Sequence, residues 1–156
     1  MKKENYAEKN VRLAGETHDA YTIERYQQFA AHLPKNSKRV LDVGSNDGRG
    51  GAAMKQMKPQ IELYGLDCVD AWLKALPPEY TGGIEGMTTE IPTPDCHFSA
   101  IVAGEFIEHL YPRDIDTTLA EFQRTLEIGG RLLMTTPNPK SIKLRLKRAR
   151  SSAAAT

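Results

Sequence analysis

The run Val40-Leu41-Asp42-Val43-Gly44-Ser45-Asn46-Asp47-Gly48-Arg49-Gly50-Gly51 constrains this chain more than any other stretch. Three bulky apolar residues suit a buried parallel strand, and the strand ends beside an acid in a glycine-rich turn. Gly44 and Gly48 allow backbone angles and close approaches that a side chain would block. A second apolar strand, Ile61-Glu62-Leu63-Tyr64-Gly65-Leu66, closes on Asp67, 23 positions after Gly44. In open α/β sheets ligands bind beyond the carboxyl ends of the strands, where an acid ending the neighbouring strand can accept hydrogen bonds from ribose hydroxyls. The pairing of turn and acid points to a nucleoside site. A dinucleotide fingerprint requires G-x-G-x-x-G, but from Gly44 this chain has Asn46 and Arg49 at the second and third glycine positions. A nicotinamide cofactor is therefore disfavoured.

The turn resembles the first motif of class I S-adenosylmethionine-dependent methyltransferases, D/E-x-G-x-G-x-G, matched by Asp42, Gly44 and Gly48. Asn46 replaces the middle glycine, and small polar residues also adopt left-handed backbone conformations. Three later segments extend the resemblance, in order. Ile91 to Ser99 with Ala100-Ile101-Val102-Ala103-Gly104-Glu105 is similar to that family's loop and fourth strand, and Glu108-His109-Leu110 to its continuation. Leu126-Glu127-Ile128-Gly129-Gly130-Arg131-Leu132-Leu133-Met134 is similar to its helix end, paired glycines and fifth strand, followed by Thr135-Thr136-Pro137-Asn138-Pro139.

The resemblance implies a Rossmann-like, doubly wound α/β sheet of five parallel strands, lacking the last two strands of the usual seven-stranded sheet. Its cofactor would be S-adenosylmethionine. Asp42 would orient the turn or reach the cofactor's amino group through water. Gly44, Ser45, Asn46 and Gly48 would meet the methionine portion, Asp67 the ribose, and Cys68 with Val69 the adenine edge. The family often places an acid after strand three to bind the adenine amino group; Met87 stands there, so Met87 packing or neighbouring Thr88 would substitute. Gly104 and Glu105 would line the methionine side and the mouth of the acceptor pocket. His109 is the candidate general base, since it follows strand four where an acceptor would enter and imidazole titrates near neutral pH. A purely structural role for Glu108-His109 is the alternative. Ser99 replaces a frequent aspartate and carries no expected function; His18, His32 and His97 need only surface or structural roles.

Composition is ordinary for a globular α/β chain, with 40% hydrophobic and 26% charged residues among 156. No stretch is long enough to cross a membrane. The polar start Met1-Lys2-Lys3-Glu4-Asn5 has no apolar signal core, so the cytoplasm is the expected location. Cys68 and Cys96 lack metal-ligand spacing and read as free thiols; no metal is expected.

Thr17 to Leu33 reads as a helix with an apolar stripe of Ala20, Ile23, Tyr26, Ala30 and Leu33. It would cover the sheet, with Tyr21, Arg25 and Tyr26 as secondary candidates for ligand contact. Gly50 to Met57 should form the helix facing the cofactor, Val69 to Leu76 a short helix stopped by Pro77-Pro78, and Asp114 to Leu126 a helix with Ile115, Leu119, Phe122 and Leu126 on one face, ended by Gly129-Gly130. Residues 1–139 form the expected domain and 140–156 a basic tail. The tail holds six of the 21 basic residues and no acid, so residues 1–139 carry 15 bases against 20 acids, a net of −5. A solvated tail is expected, with contact to a polyanion as the alternative. An exposed fifth-strand edge would invite a homo-oligomer.

The activity implied by the resemblance is methyl transfer to a small-molecule acceptor, a hydroxyl oxygen of a sugar, lipid or quinone precursor. The absence of an Asn/Asp-Pro-Pro-Tyr/Phe motif disfavours nucleobase N-methylation. The alternative is a truncated or degenerate, non-catalytic module that binds cofactor or a partner.

Overall fold

The computed structural model describes Tyr6, Glu8 and residues 21–138. Helix α1 (Thr22–His32) leads into strand β1 (Arg39–Val43), α2 (Arg49–Met57), β2 (Glu62–Asp67), the short α3 (Asp70–Lys74), β3 (Gly82–Glu85) and β4 (Phe98–Gly104). A 3-10 turn (Ile107–His109), α4 (Pro112–Thr125) and β5 (Leu126–Thr135) follow. The five strands form one sheet in the order β3-β2-β1-β4-β5, with every pairing parallel. The expected five-stranded, doubly wound sheet is what the chain forms.

Continuous apolar runs put β1 and β4 at the centre, because a strand covered by helices on both faces has no solvent side to keep polar. Alternate residues feed two cores. Val40, Ala100 and Val102 join Tyr26, Phe29 and Ala30 of α1, Leu33 just past its end, and Met54 of α2 on one face. Leu41, Val43, Ile101 and Ala103 join Phe98 and Phe122 of α4 on the other. Each fully buried aliphatic side chain of this kind contributes about 1.5–3 kcal/mol. The turn between β1 and α2 is thereby fixed at the middle of the sheet's carboxyl edge.

Several local expectations need correction. The buried stripe of α4 is Thr118, Phe122 and Thr125, while Leu119 is exposed. Thr118 turns inward because its hydroxyl shares a 3.0 Å hydrogen bond with that of Thr88. Nor do Gly129 and Gly130 end the helix. It stops at Thr125, and Leu126 is already extended and paired with Phe98. From that pair to Ala100↔Arg131, β4 advances two residues and β5 five. The excess forms a bulge that leaves Ile128 fully exposed and turns Gly129 into the left-handed region at φ +80°. Strand β4 also begins earlier than expected, at Phe98.

In α1 the inward face is Tyr26, Phe29 and Ala30, continued by Leu33 just past its end, with Ile23 exposed; residues 17–20 of the expected helix lie outside the described residues. His18, Pro139 and the basic tail 140–156 also lie outside them. The short third helix covers Asp70–Lys74 rather than 69–76. Ser99 has a structural role: its hydroxyl accepts from the Lys38 amide and donates to the Arg39 carbonyl, clipping β4 to the entry of β1. None of the described helices is long and apolar enough to cross a membrane.

Candidate cofactor site at the carboxyl ends of the strands

The turn after β1 uses three left-handed residues, Gly44 (φ +68°), Asn46 (φ +49°) and Gly48 (φ +74°). Asn46 thus takes the conformation expected of a residue standing in for the motif's middle glycine. The Gly44 amide donates to the Leu66 carbonyl at 2.8 Å, hooking the turn onto the end of β2, and the Gly48 amide closes it on the Ser45 carbonyl at 2.9 Å. Gly48 then caps α2, and the Asp47 carboxylate accepts from the Arg49 amide in the first helical turn.

Part of the reason for these glycines lies inside the protein. A Cβ on Gly44 would sit 2.9 Å from the Phe106 ring, and one on Gly48 2.5 Å from Pro77. The bare backbone therefore accommodates side chains arriving from the ends of β4 and α3.

Asp67 ends β2 beside this turn. It is 6% exposed; one carboxylate oxygen accepts from the Val69 amide at 3.0 Å and the other from the Asn46 amide at 3.3 Å. Burial raises its pKa, and those amide donors oppose the rise. A carboxylate has about four acceptor positions. The Cys68 amide and thiol also act on this carboxylate, so it is held from several sides and any ligand hydroxyl would share it with these donors. The Ser45 hydroxyl in the same turn is buried and has no hydrogen-bond partner among the described residues. A buried acid beside a left-handed turn that holds an unpaired buried hydroxyl fits the ribose and methionine parts of S-adenosylmethionine. Cys68 and Met87 are partly exposed and Val69 is buried. Thr88 is buried with its hydroxyl engaged by that of Thr118.

Asp42 is placed differently. It is fully buried, and its two oxygens accept from the hydroxyls of Tyr26 at 2.6 Å and Tyr80 at 2.5 Å. Loss of water pushes its pKa up to about 7, although both tyrosine bonds pull it down. The carboxylate underpins the turn rather than opening onto solvent.

At the end of β4, Glu105 is left-handed (φ +53°), and its amide donates to the Thr135 carbonyl at 3.1 Å. Its carboxylate lies 3.7 Å from the Arg25 guanidinium, whose aliphatic stem crosses Gly104. His109, on the exposed 3-10 turn, donates its amide to the Phe106 carbonyl at 3.0 Å. The turn after β1, Asp67 and the Gly104–Glu105 segment thus share one edge of the sheet. Tyr80 and Phe106 escaped the sequence reading. Tyr80 follows two prolines in an aperiodic segment, where only the need of a buried Asp42 for donors hints at it, and Phe106 sits just past the end of β4, where no pattern marks its packing on Gly44. Among the described residues no group of three metal-ligating side chains occurs.

Comparison with known proteins agrees with this geometry. A fatty-acid O-methyltransferase of Mycolicibacterium smegmatis is 32% identical over 124 residues, 77% of this chain and 44% of its own length. A demethylmenaquinone methyltransferase of Deinococcus radiodurans is 34% identical over 119 residues, 71% of this chain and 47% of its own. The chain spans about half the length of these curated relatives. The crystal structure of a SAM-dependent methyltransferase from Archaeoglobus fulgidus superposes with a TM-score of 0.65 at 22% identity, covering 78% of this chain and 54% of that one, and so shares the fold. Residues 41–134, more than half of the chain, match the family described as "Methyltransferase domain". The chain belongs to the class I S-adenosylmethionine-dependent methyltransferases.

Proposed function

We propose that this protein transfers a methyl group from S-adenosylmethionine to a hydroxyl oxygen of a small-molecule acceptor, a lipid or quinone precursor preferred and a sugar as a further candidate. The observation that carries the reading is the buried Asp67 carboxylate joined to the left-handed Gly44–Gly48 turn through the Asn46 amide. The cofactor supplies an electrophilic methyl on a sulfonium. Asp67 would take the ribose hydroxyls; Gly44, Ser45, Asn46 and Gly48 would receive the methionine portion. Cys68, Val69 and Met87, with the Thr88 backbone, would flank the adenine. Gly104 and Glu105 would line the side next to the acceptor, where the carboxylate of Glu105 favours a positively charged donor.

The protein's main contribution to rate would be holding the two reactants in line. His109 would accept the proton of the acceptor hydroxyl, for which its position on the exposed turn after β4 is the support. The similarity to a fatty-acid O-methyltransferase supports an oxygen acceptor of lipid type. The free edge of β5 would suit pairing with a second copy, since no described strand lies beyond it.

The test is a panel assay with methyl-labelled S-adenosylmethionine against fatty acids, hydroxylated lipids, quinols and sugars. Labelled product from one of these classes supports the reading. Tight binding of the cofactor with no transfer to any class favours a non-catalytic cofactor-binding module.

A further inference from the structure

Asp42 lies at the junction of three elements, and its neighbours reach it across the first turn of α2. Tyr26 comes from α1 and Tyr80 from the loop between α3 and β3, each donating its hydroxyl to a different carboxylate oxygen. The path for both is cleared by glycines. A Cβ on Gly50 would lie 2.5 Å from the Tyr26 ring; one on Gly51 would lie 2.9 Å from the Asp42 carboxylate and collide with the Tyr80 hydroxyl; one on Gly48 would meet the Tyr80 ring at 3.0 Å. Three bare positions at the start of one helix thus admit two aromatic rings to one buried acid. Local propensity opposes this arrangement, because glycine inside a helix costs about 1 kcal/mol relative to alanine.

We propose that Tyr26, Asp42 and Tyr80 are positioning residues for the cofactor: a buried hydroxyl–carboxylate–hydroxyl bridge clamps α1 and the Tyr80 loop on the start of α2 and holds the Gly44–Gly48 turn in its binding form. The inference rests on the cofactor reading above. Asn46 holds a left-handed conformation that asparagine reaches more readily than most side chains, and the bridge fixes the helix that follows the turn. The bridge acts through the turn and touches no ligand itself. Charge near it is dense. Arg25 of α1, Asp47 of the turn and Asp67 of β2 all act on Asp42 or its two tyrosines. Asp67 alone of these acts on Asp42 itself, which links the bridge to the acid placed at the ribose, and burial pushes the Asp42 pKa up to about 7.

The experiment is calorimetric titration of S-adenosylhomocysteine into the wild-type chain, Tyr26→Phe, Tyr80→Phe and Asp42→Asn, each at a temperature where circular dichroism shows it folded. Each Tyr→Phe change keeps the ring and removes one hydroxyl. We expect each to weaken binding roughly tenfold, the worth of one hydrogen bond to a buried charge. The wild-type affinity should also vary with pH across neutrality, and Asp42→Asn should flatten that profile. Folded Phe variants that melt earlier yet bind with wild-type affinity would overturn the proposal and leave the cofactor site standing. Absence of binding by the folded wild type would remove the cofactor reading and this inference together.

Discussion

The Asn46 amide donates to the Asp67 carboxylate at 3.3 Å, so the turn after β1 and the acid ending β2 are one hydrogen-bonded unit. Gly44 adds a second tie to the same strand through the Leu66 carbonyl. Two parallel strands in register from Arg39↔Glu62 to Val43↔Leu66 bring these groups together, and the fully buried β1 core keeps them there.

Substitution of Asp67 by Asn tests that unit. The amide oxygen still accepts from one backbone N–H, but the charge and half the acceptor capacity are gone. S-adenosylhomocysteine should bind at least tenfold more weakly by calorimetry, with the far-UV spectrum unchanged. Equal affinity would remove Asp67 from the ribose site.

Gly51→Ala is expected to reverse the usual sign of a helical Gly→Ala change. Helix propensity alone predicts a gain of about 1 kcal/mol. The added Cβ would run into the Tyr80 hydroxyl and crowd the Asp42 carboxylate. Thermal unfolding should show a lower Tm than wild type; a higher one would mean that Tyr80 yields without consequence.

The pH dependence of stability follows from Asp42, whose pKa rises from 3.8 to about 7 on folding. The native state therefore holds a proton that the unfolded chain releases at lower pH. This group's contribution is fully present below about pH 4 and lost as pH rises through 7. Asp42→Asn lacks that titration, so the wild-type Tm should fall relative to the variant's between those limits. A gap that stays constant would show that Asp42 ionises normally in the folded protein.

Replacement of His109 by Gln should leave S-adenosylhomocysteine affinity unchanged while lowering kcat on the identified acceptor by about 10²-fold, the lower range for loss of a general base. An unchanged kcat would assign the proton to another acceptor.

The central strands were legible because burial on both faces demands unbroken apolar runs, which Val40-Leu41 and Ala100-Ile101-Val102-Ala103 supply. The turn was legible for a related reason: left-handed angles restrict residue type, and Gly44, Asn46 and Gly48 meet that restriction. Features set by distant partners were not. Thr118 looks polar and surface-bound until Thr88, 30 residues away, is placed beside it. Gly129-Gly130 resembles a helix stop, yet Leu126 pairs with Phe98 first and leaves the glycines to form a bulge. Tyr80 follows two prolines in an aperiodic segment, and its bond to Asp42 spans 38 residues. That contact engages one of the two Asp42 oxygens beneath the turn, in keeping with the turn-orienting half of the expectation for Asp42.

The central claim is tested most directly by calorimetric titration of the purified chain with S-adenosylhomocysteine and, separately, with NADH. The account predicts saturable binding of the adenosyl ligand at one site per chain and none of the dinucleotide. A folded chain that binds NADH, or that binds neither ligand, would contradict it.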